Sequence, residues 1–339
     1  MNVPTEILQN WPQTQIMSAS KDGGLINDTY IVGRPPTAIL QKVNPIFRPE
    51  VHLDIEAITA HLASQGMMTP RLIPTQSGEL CVPTDTGAWR MLTFVPGTTH
   101  HTIGSLAQAS SAAALVGRFH RATEDLNHRF HFTRPGAHDT PAHMTTLRRA
   151  IGEVRGDTRH REAAELGQAI LSAWETWEGS LQLPLRICHG DLKISNLRFD
   201  TDGQQALCLL DFDTFSHQSL AVEMGDAWRS WCNPAGEDRL DDVRFDLDIF
   251  EASATAWLQS GPNLTPVERE SLVSGIERIC LELSARFCAD AINQCYFKED
   301  SARFSQPGAH NLYRARGQFK LAGSVRDQRA RAEAIIHSR

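Results

Sequence analysis

Ile187-Cys188-His189-Gly190-Asp191-Leu192-Lys193-Ile194-Ser195-Asn196, followed by Leu209-Leu210-Asp211-Phe212-Asp213, decides how this chain is read. Asn196 comes five residues after Asp191, and Asp211 fifteen after Asn196. That set supplies what transfer of a phosphoryl group from a nucleotide needs. Asp191 is placed to accept the proton of an attacking hydroxyl. Asn196 and Asp211 offer hard oxygen donors to Mg²⁺, an ion that takes few protein ligands and leaves its other positions to phosphate and water. Lys193 is the cation for the migrating phosphoryl group. The surroundings fit as well. An apolar run from Leu183 to Cys188 precedes the loop, and Leu197–Phe199 and Ala206–Leu210 follow it. The order is strand, loop, strand, turn, strand, then the metal acid. The plainer reading has Asp191 and Asn196 only satisfying turn backbone, as Asp and Asn commonly do.

Length and composition agree with an enzyme of two lobes. The 339 residues suffice for about two domains of ordinary size. A hydrophobic fraction of 41% with 22% charged residues describes a globular chain. The net charge of −7 gives no electrostatic reason to expect a nucleic-acid or membrane partner. Seven cysteines without a Cys-x-x-Cys pair read as reduced thiols, and Cys280, Cys288 and Cys295 fall roughly on one helical face as core packing. Met-Asn-Val-Pro-Thr-Glu carries no basic-then-apolar signal, and no apolar run approaches a membrane span. A cytoplasmic protein is expected.

Residues 1–95 have strand character. Thr29–Val32 and Ala38–Val43 are short β-rich runs joined by Gly33-Arg34-Pro35-Pro36, a turn signal. A helix is predicted from about Leu53 to Gln65, with Ile55, Ile58 and Leu62 on one face and Gly66 as its stop. Ala88–Phe94 is the next strand, and Val95-Pro96-Gly97 reads as a hinge. Beyond it the pattern turns helical. Leu115, Phe119, Ala122 and Leu126 sit at helix spacing, as do Ile170, Trp174, Trp177 and Leu181. Further helices are predicted over Leu247–Leu258, from about Pro266 to Cys295, and over roughly Ala309–Ala334. The turn-rich residues 132–142 are a loop within the larger lobe.

Taken together, the chain resembles the aminoglycoside phosphotransferase and choline kinase superfamily, small-molecule relatives of the protein kinases. Within it, the chain is most similar to the N-acetylhexosamine 1-kinase group of anomeric sugar kinases. The matching pieces run almost end to end: Ile26-Asn27-Asp28-Thr29-Tyr30, Ile39-Leu40-Gln41, Asn44, Gly87-Ala88-Trp89-Arg90 and His138-Asp139-Thr140-Pro141. They continue through the catalytic loop, Asp211-Phe212-Asp213-Thr214, Gly225-Asp226, Arg286-Phe287 and His310-Asn311-Leu312. The resemblance implies an α+β, protein-kinase-like fold, with a small β-rich nucleotide-binding lobe over 1–95 and a larger, mainly helical catalytic and substrate-binding lobe over 96–339. It implies ATP and Mg²⁺ as cofactors, Asp191 as the base, and Asn196 and Asp211 as metal ligands. Asp213 replaces the glycine of the protein-kinase Asp-Phe-Gly triplet; its carboxylate could serve the metal shell or stabilise a turn. Asp226 resembles the buried acid that fixes the catalytic loop.

The small lobe leaves alternatives. A kinase lobe wants a strand cation paired to a helix carboxylate. Glu56 fits the carboxylate. The strand partner is Lys42 by chemistry, but the resemblance puts Gln41 at the more constant position, and the two alternate to opposite faces of a strand. Backbone amides around Gly23 and Gly24 could cradle phosphate. Phe94 and Val95, in the hinge, offer backbone groups to the base.

For the acceptor, the resemblance places Arg286 at a sugar-contacting position and Tyr296 near another, while Leu25 stands where hexosamine kinases carry a sugar-contacting His. Arg314, Arg316 and Lys320 could orient the pocket or form a solvated helix face. His128 and His131, three apart, could be metal ligands on one helix face, but no further Cys/His spacing supports zinc. The expected activity is transfer of the ATP γ-phosphoryl group to a small-molecule hydroxyl, foremost the anomeric hydroxyl of a hexose or N-acetylhexosamine. An aminoglycoside, choline, ethanolamine or other amino alcohol is the alternative acceptor, with Asp238, Asp241 and Asp242 as available acids. A non-catalytic nucleotide-binding regulator would be a different class altogether.

Overall fold

A computed structural model describes residues 3–11, 21–22, 26–236 and 239–338. Gly23, Gly24, Leu25 and Asp238, which bear on the phosphate loop and on acceptor choice, lie outside the described residues. The chain forms two compact units.

The first unit comprises Met1–Thr99, Ala122–Pro135 and Asn196–Ser216. Its sheet is antiparallel, in the order β1-β2-β3-β5-β4, from β1 (Lys21–Asp22), β2 (Asp28–Val32), β3 (Ala38–Val43), β4 (Val82–Thr84) and β5 (Gly87–Thr93). The β2–β3 register pairs Thr29 with Gln41 and Tyr30 with Leu40, and β5 adds Arg90 opposite Gln41. Because side chains alternate across a strand, this register sorts the sheet into two faces. On one, Tyr30, Val32, Ala38, Leu40, Trp89 and Met91 form a core with Ile7 and Trp11, carried by or following helix α1 (Thr5–Leu8). On the other stand Thr29, Gln41 and Arg90. Helix α2 (Val51–Ser64) buries Val51, Ile55, Ile58 and Leu62, and the chain leaves it at Gly66, where φ is +76°.

The rest of this unit arrives from far along the sequence. Residues 196–216 carry a hairpin of β7 (Leu197–Phe199) and β8 (Ala206–Leu209), which pair as Leu197–Leu209. An isolated bridge joins Thr98 to Phe199, and Arg198 donates to the Val95 carbonyl at 3.0 Å. Gly97, at φ +133°, is obligatory at this crossing, because a Cβ there would meet the Phe199 carbonyl oxygen at 1.9 Å. The hinge read from Val95-Pro96-Gly97 is therefore pinned to the hairpin.

The second unit is His100–Arg121, Gly136–Ser195 and His217–Arg339. It contains most of α3 (Leu106–Ala122), with α4 (Thr140–Glu153), α5 (Arg161–Glu175), α6 (Leu220–Trp231), α7 (Leu247–Ser260), α8 (Pro266–Asn293), α9 (Ala309–Asp327) and α10 (Arg329–His337). The short strands β6 (Arg186–Cys188) and β9 (Ser216–Gln218) precede the catalytic loop and α6. Helix α8 is the axle: α4, α5, α6, α9 and α10 all pack on it. It starts with a capping box in which Thr265 and Glu268 satisfy each other's backbone amides, with Pro266 at the first turn.

Helix ends account for the departures from the sequence reading. Helix α3 stops at Ala122, so Leu126 is outside it. Helix α5 stops at Glu175; Trp177 folds back to stack on Trp174 and donates its indole N–H to the Ser274 carbonyl, while Leu181 is exposed. Cys280 and Cys288 are core residues, but α8 ends at Asn293 and Cys295 is exposed. The last predicted helix breaks at Gln328 into α9 and α10. No helix among the described residues is long and apolar enough to cross a membrane.

Candidate active site

In the first unit, the β7–β8 pairing brings Asn196 and Asp211 to the same end of the hairpin. The Leu210 amide donates to the Asn196 carbonyl at 2.8 Å, continuing the ladder by one step. Asp211 follows in the left-handed region at φ +64°. Outside glycine that region costs about 1 kcal/mol, and Asp is among the residues that tolerate it best. The conformation is held on its far side by Phe212 stacked on Phe215 and by a fixed Asp213. One amide oxygen and one carboxylate, on neighbouring strand ends, form a donor set that fits Mg²⁺.

Asp213 is not part of that donor set. It is 2% exposed, and both its oxygens are taken. Arg90 Nη1 and Nη2 bind Oδ1 and Oδ2 at 2.5 and 2.9 Å, and Asn27 Nδ2 binds Oδ2 at 2.7 Å. Burial works to raise this carboxyl, but the Arg90 charge and hydrogen bonds, with Asn27, hold it below the usual carboxylate range. Asn27 is itself fixed by the Asn44 amide. Three separated segments meet at one carboxylate, and Asn44 braces one of them. Asp213 thus forms an internal ion pair, the stabilising role that the sequence offered beside metal ligation.

Arg90 also resolves the strand cation. Its Nε donates to Gln41 Oε1 at 2.9 Å, and Gln41 Nε2 donates to Thr29. Gln41 therefore supports Arg90 and is not itself presented to a phosphate. Lys42 alternates to the opposite face, with Leu40 and Trp89, away from Arg90 and Asp213. Strand parity thus separates the two candidates, with Gln41 on the side of Arg90 and Asp213 and Lys42 on the other. Glu56 does pair with a cation, but it is Arg71, at 2.5 Å, rather than a residue of β3. In the hinge, the Phe94 amide is used by the Thr37 carbonyl and the Phe94 ring lies under Arg198, so Phe94 serves the hinge's own scaffold.

The second unit carries Asp191. Lys193 Nζ donates to Asp191 Oδ2 at 2.6 Å. Burial pushes the Asp191 carboxyl up, yet Lys193, with help from His189 and Arg229, holds it below the ordinary carboxylate range. The loop around it is fixed by Glu223 rather than by Asp226. Glu223 accepts the backbone amides of His189 at 2.7 Å and Gly190 at 2.9 Å. It also meets His120 Nε2 at 3.2 Å, and His120 Nδ1 accepts from the Trp257 indole. Trp231 donates to the Leu192 carbonyl from about two turns further along α6. Asp226 instead pairs with Arg229 at 2.9 Å. Sequence reading missed Glu223, although its place one turn before Asp226 on the same helix was a usable signal.

Further along, α8 and the chain after it build a wall. Arg286 has its guanidinium 5.5 Å from the Phe297 ring centre and 5.9 Å from that of Tyr296. Its approach to Glu282, 3.9 Å, is an ion pair beyond hydrogen-bond length. Asp290 accepts the amides of Cys295, Tyr296 and Phe297 and a side-chain bond from Asn311, which fixes the turn carrying both aromatics. Glu282 is fully buried and bound by His138 at 3.0 Å and Thr140 at 2.6 Å. Arg278 reaches Thr140 and the His138 carbonyl. Three other cations are structural. Arg316 pairs with Glu162, Lys320 caps the carbonyls of Leu240 and Asp241, and Arg314 reaches the Lys298 carbonyl.

The His138–Glu282 pair predicts a pH profile. Burial lowers the His138 value, but Glu282 overrides this and raises it above 6.5. Burial raises Glu282, but His138 and Thr140 bring it from 4.5 to about 2. The histidine's contribution is complete below about 6.5 and fades as pH rises through its raised value. The glutamate's is complete above about 4.5 and fades as pH falls toward 2. Stability from the pair is therefore greatest between those limits. His138→Gln should remove the decline in melting temperature above pH 6.5, measured by thermal scans from pH 4 to 9; an unchanged slope would mean that another group causes it.

Residues 21–258, well over half of the chain, match the model of the phosphotransferase enzyme family. The chain belongs to that family. It is a small-molecule kinase of the aminoglycoside phosphotransferase and choline kinase kind, acting on a hydroxyl group. Solved structures share its fold at low identity. A microcompartment-associated aminopropanol kinase matches at 16% identity and a TM-score of 0.64, covering 98% of this chain and 99% of its own. An aminoglycoside phosphotransferase from Alicyclobacillus acidocaldarius matches at 15% and 0.63, covering 98% and 97%. Amicoumacin kinase hAmiN, solved with AMP-PNP, Ca²⁺ and Ami, matches at 12% and 0.61, covering 93% and 92%. In the phosphotransferase described here, Asp191 and Arg286 belong to the second unit, and Asn196 and Asp211 to the first.

Proposed function

We propose that this kinase transfers the γ-phosphoryl group of ATP, with Mg²⁺, to a hydroxyl of a neutral sugar, foremost the anomeric hydroxyl of a hexose or N-acetylhexosamine. Asn196 and Asp211 would hold the ion, which when bound neutralises charge on the phosphates. Asp191 accepts a hydrogen bond from the acceptor hydroxyl and takes its proton as the new O–P bond forms. A carboxylate held below its ordinary pKa is a weak base. That suffices, because the transition state is loose and the proton leaves late. Lys193 keeps Asp191 ionised and stands beside the transferring group. Five residues of chain separate Asp191 from Asn196, a reach of at most about 18 Å.

The observation that carries the acceptor class is Arg286. Its guanidinium lies on two aromatic rings and makes no hydrogen bond to another described residue. A cation of this kind reads hydroxyl or carbonyl oxygens and repels an ammonium group. Of the nearby acids, Glu282 is engaged by His138 and Thr140, and Asp226 gives one oxygen to Arg229 while its Oδ2 has no hydrogen-bond partner. An amino-alcohol acceptor would have to be read by that one oxygen, against the charge of Arg286.

ATP consumption against free sugars, amino sugars, amino alcohols and aminoglycosides, with and without Mg²⁺, tests this reading. Mg²⁺-dependent turnover with loss of the reducing end is expected for the sugars. Turnover confined to amines or aminoglycosides would overturn the acceptor and keep the chemistry. Arg286→Leu should raise KM for the preferred acceptor about 10- to 100-fold, the scale of a lost charged hydrogen bond, with KM for ATP unchanged. An equal rise for both substrates would remove Arg286 from the acceptor site.

A further inference from the structure

In the first unit, two histidines and an aspartate that no catalytic step uses converge on one point. Asp54 is on α2, and His128 and His131 are in the irregular stretch that follows α3, not on a helix face as their spacing suggested. His128 Nε2 lies 2.8 Å from Asp54 Oδ1, and His131 Nδ1 lies 2.9 Å from the same oxygen. The three potential ligand atoms all fall within 4.8 Å of one another.

We propose that Asp54, His128 and His131 form a site for a divalent transition-metal ion, Zn²⁺ foremost, completed by water. Four features support it. First, the donor set is right: two imidazole nitrogens and a carboxylate oxygen are the ligands that Zn²⁺ takes when one position stays open. Second, the spacing is close. Ligand bonds of about 2.0–2.1 Å at tetrahedral angles put donor atoms about 3.3 Å apart, so each histidine nitrogen needs to draw back from Asp54 Oδ1 by only about 0.5 Å to admit an ion.

Third, the carboxylate is already oriented. Asp54 accepts the His131 amide at 2.9 Å and the Phe132 amide at 3.0 Å, the kind of outer bond that aims a metal ligand. Fourth, access is graded. Asp54 is 1% exposed, while the His128 and His131 side chains are 11% and 50% exposed. The site is closed behind and open in front, where an ion enters and water completes its shell.

Hydrogen bonding and metal binding are alternatives for the same atoms. In the structure Asp54 Oδ1 accepts from both rings, which puts a proton on His128 Nε2 and on His131 Nδ1. An ion takes the place of those protons, because a ring nitrogen binds a metal only through its free lone pair. The ion would staple α2 to the segment after α3, within one unit. The site is separate from Asn196 and Asp211, whose amide and carboxylate donors suit Mg²⁺ instead.

The test uses the full chain, stripped with chelator and without nucleotide, titrated with Co²⁺ and then Zn²⁺. One Co²⁺ per chain with a tetrahedral d–d spectrum, displaced by Zn²⁺, is expected, together with a Zn²⁺-dependent rise in melting temperature. His131→Ala and His128→Gln should each weaken binding at least tenfold and abolish the rise. His131 is half exposed, so its variant should fold; far-UV circular dichroism checks this. Asp211→Asn and Cys295→Ser should bind as the parent does. Binding unchanged in both histidine variants, or binding lost in Asp211→Asn or Cys295→Ser, would overturn the site, as would no binding of either metal at 100 μM.

Discussion

Asp191→Asn should lower turnover by roughly 10² to 10⁴-fold, the usual scale for a positioned general base, with the fold and nucleotide binding intact. The amide can still accept a hydrogen bond from the acceptor hydroxyl, but it cannot take its proton, and it no longer balances Lys193. The loop that presents residue 191 should not move, because Glu223 and Trp231 hold its backbone rather than its side chain. Circular dichroism, nucleotide titration and initial rates together make the measurement. A fully active variant would remove Asp191 from the mechanism. A variant that also lost nucleotide affinity would point to a structural role.

Arg90→Leu has the larger expected effect on stability. It leaves Asp213 buried with a charge and no cation, and it leaves Gln41 without the donor on its carbonyl oxygen. Removing one partner of a buried pair typically costs about 3–5 kcal/mol. Denaturant unfolding should show that loss for the single variant. The double variant Arg90→Leu with Asp213→Asn should recover most of it, since no orphan charge remains and the new amide can still accept from Asn27. A single variant as stable as the parent, or a double variant no better than the single, would refute the ion pair as an anchor of this unit. Because Asp213 is two residues from Asp211, the single variant should also require more Mg²⁺ for half-maximal rate.

The sequence made the chemistry more legible than its supports. Asp191, Asn196 and Asp211 could be proposed together because their spacing is local, set by one loop and one hairpin. The strands and the helix around Ile55, Ile58 and Leu62 could be read for a related reason: alternation and helical period are short-range signals. Partners set by tertiary contacts were harder to name. Lys42 had the charge expected of a strand cation, but one step of strand parity put it on the other face and left Arg90 beside Asp213. Glu56 had the right sign and found Arg71. Asp226 was taken as the loop's anchor when Glu223, one turn earlier, accepts its amides. His128 and His131 could not be assembled into a site from their own spacing, because the third member, Asp54, lies 74 residues before His128. Helix ends such as those after Ala122 and Glu175 carry no strong stop signal, so the period was continued too far.

Helices α6 and α8 meet at two glycines. A Cβ on Gly225 would fall 2.6 Å from the Gly275 carbonyl oxygen, and one on Gly275 would fall 2.1 Å from that of Ala221. Helix α6 carries Glu223, which fixes the catalytic loop, and α8 carries Glu282 and Arg286. With backbone against backbone, the separation of these two sets is a fixed length that no side chain can lengthen or shorten. New acceptor preference in this lineage should therefore come by exchange of side chains along α8 and its following turn, at positions such as 286 and 296. Any change at 225 or 275 would disturb the loop around Asp191 and the surroundings of Arg286 together. The glycine contact thus separates what selection can vary freely from what it must leave alone.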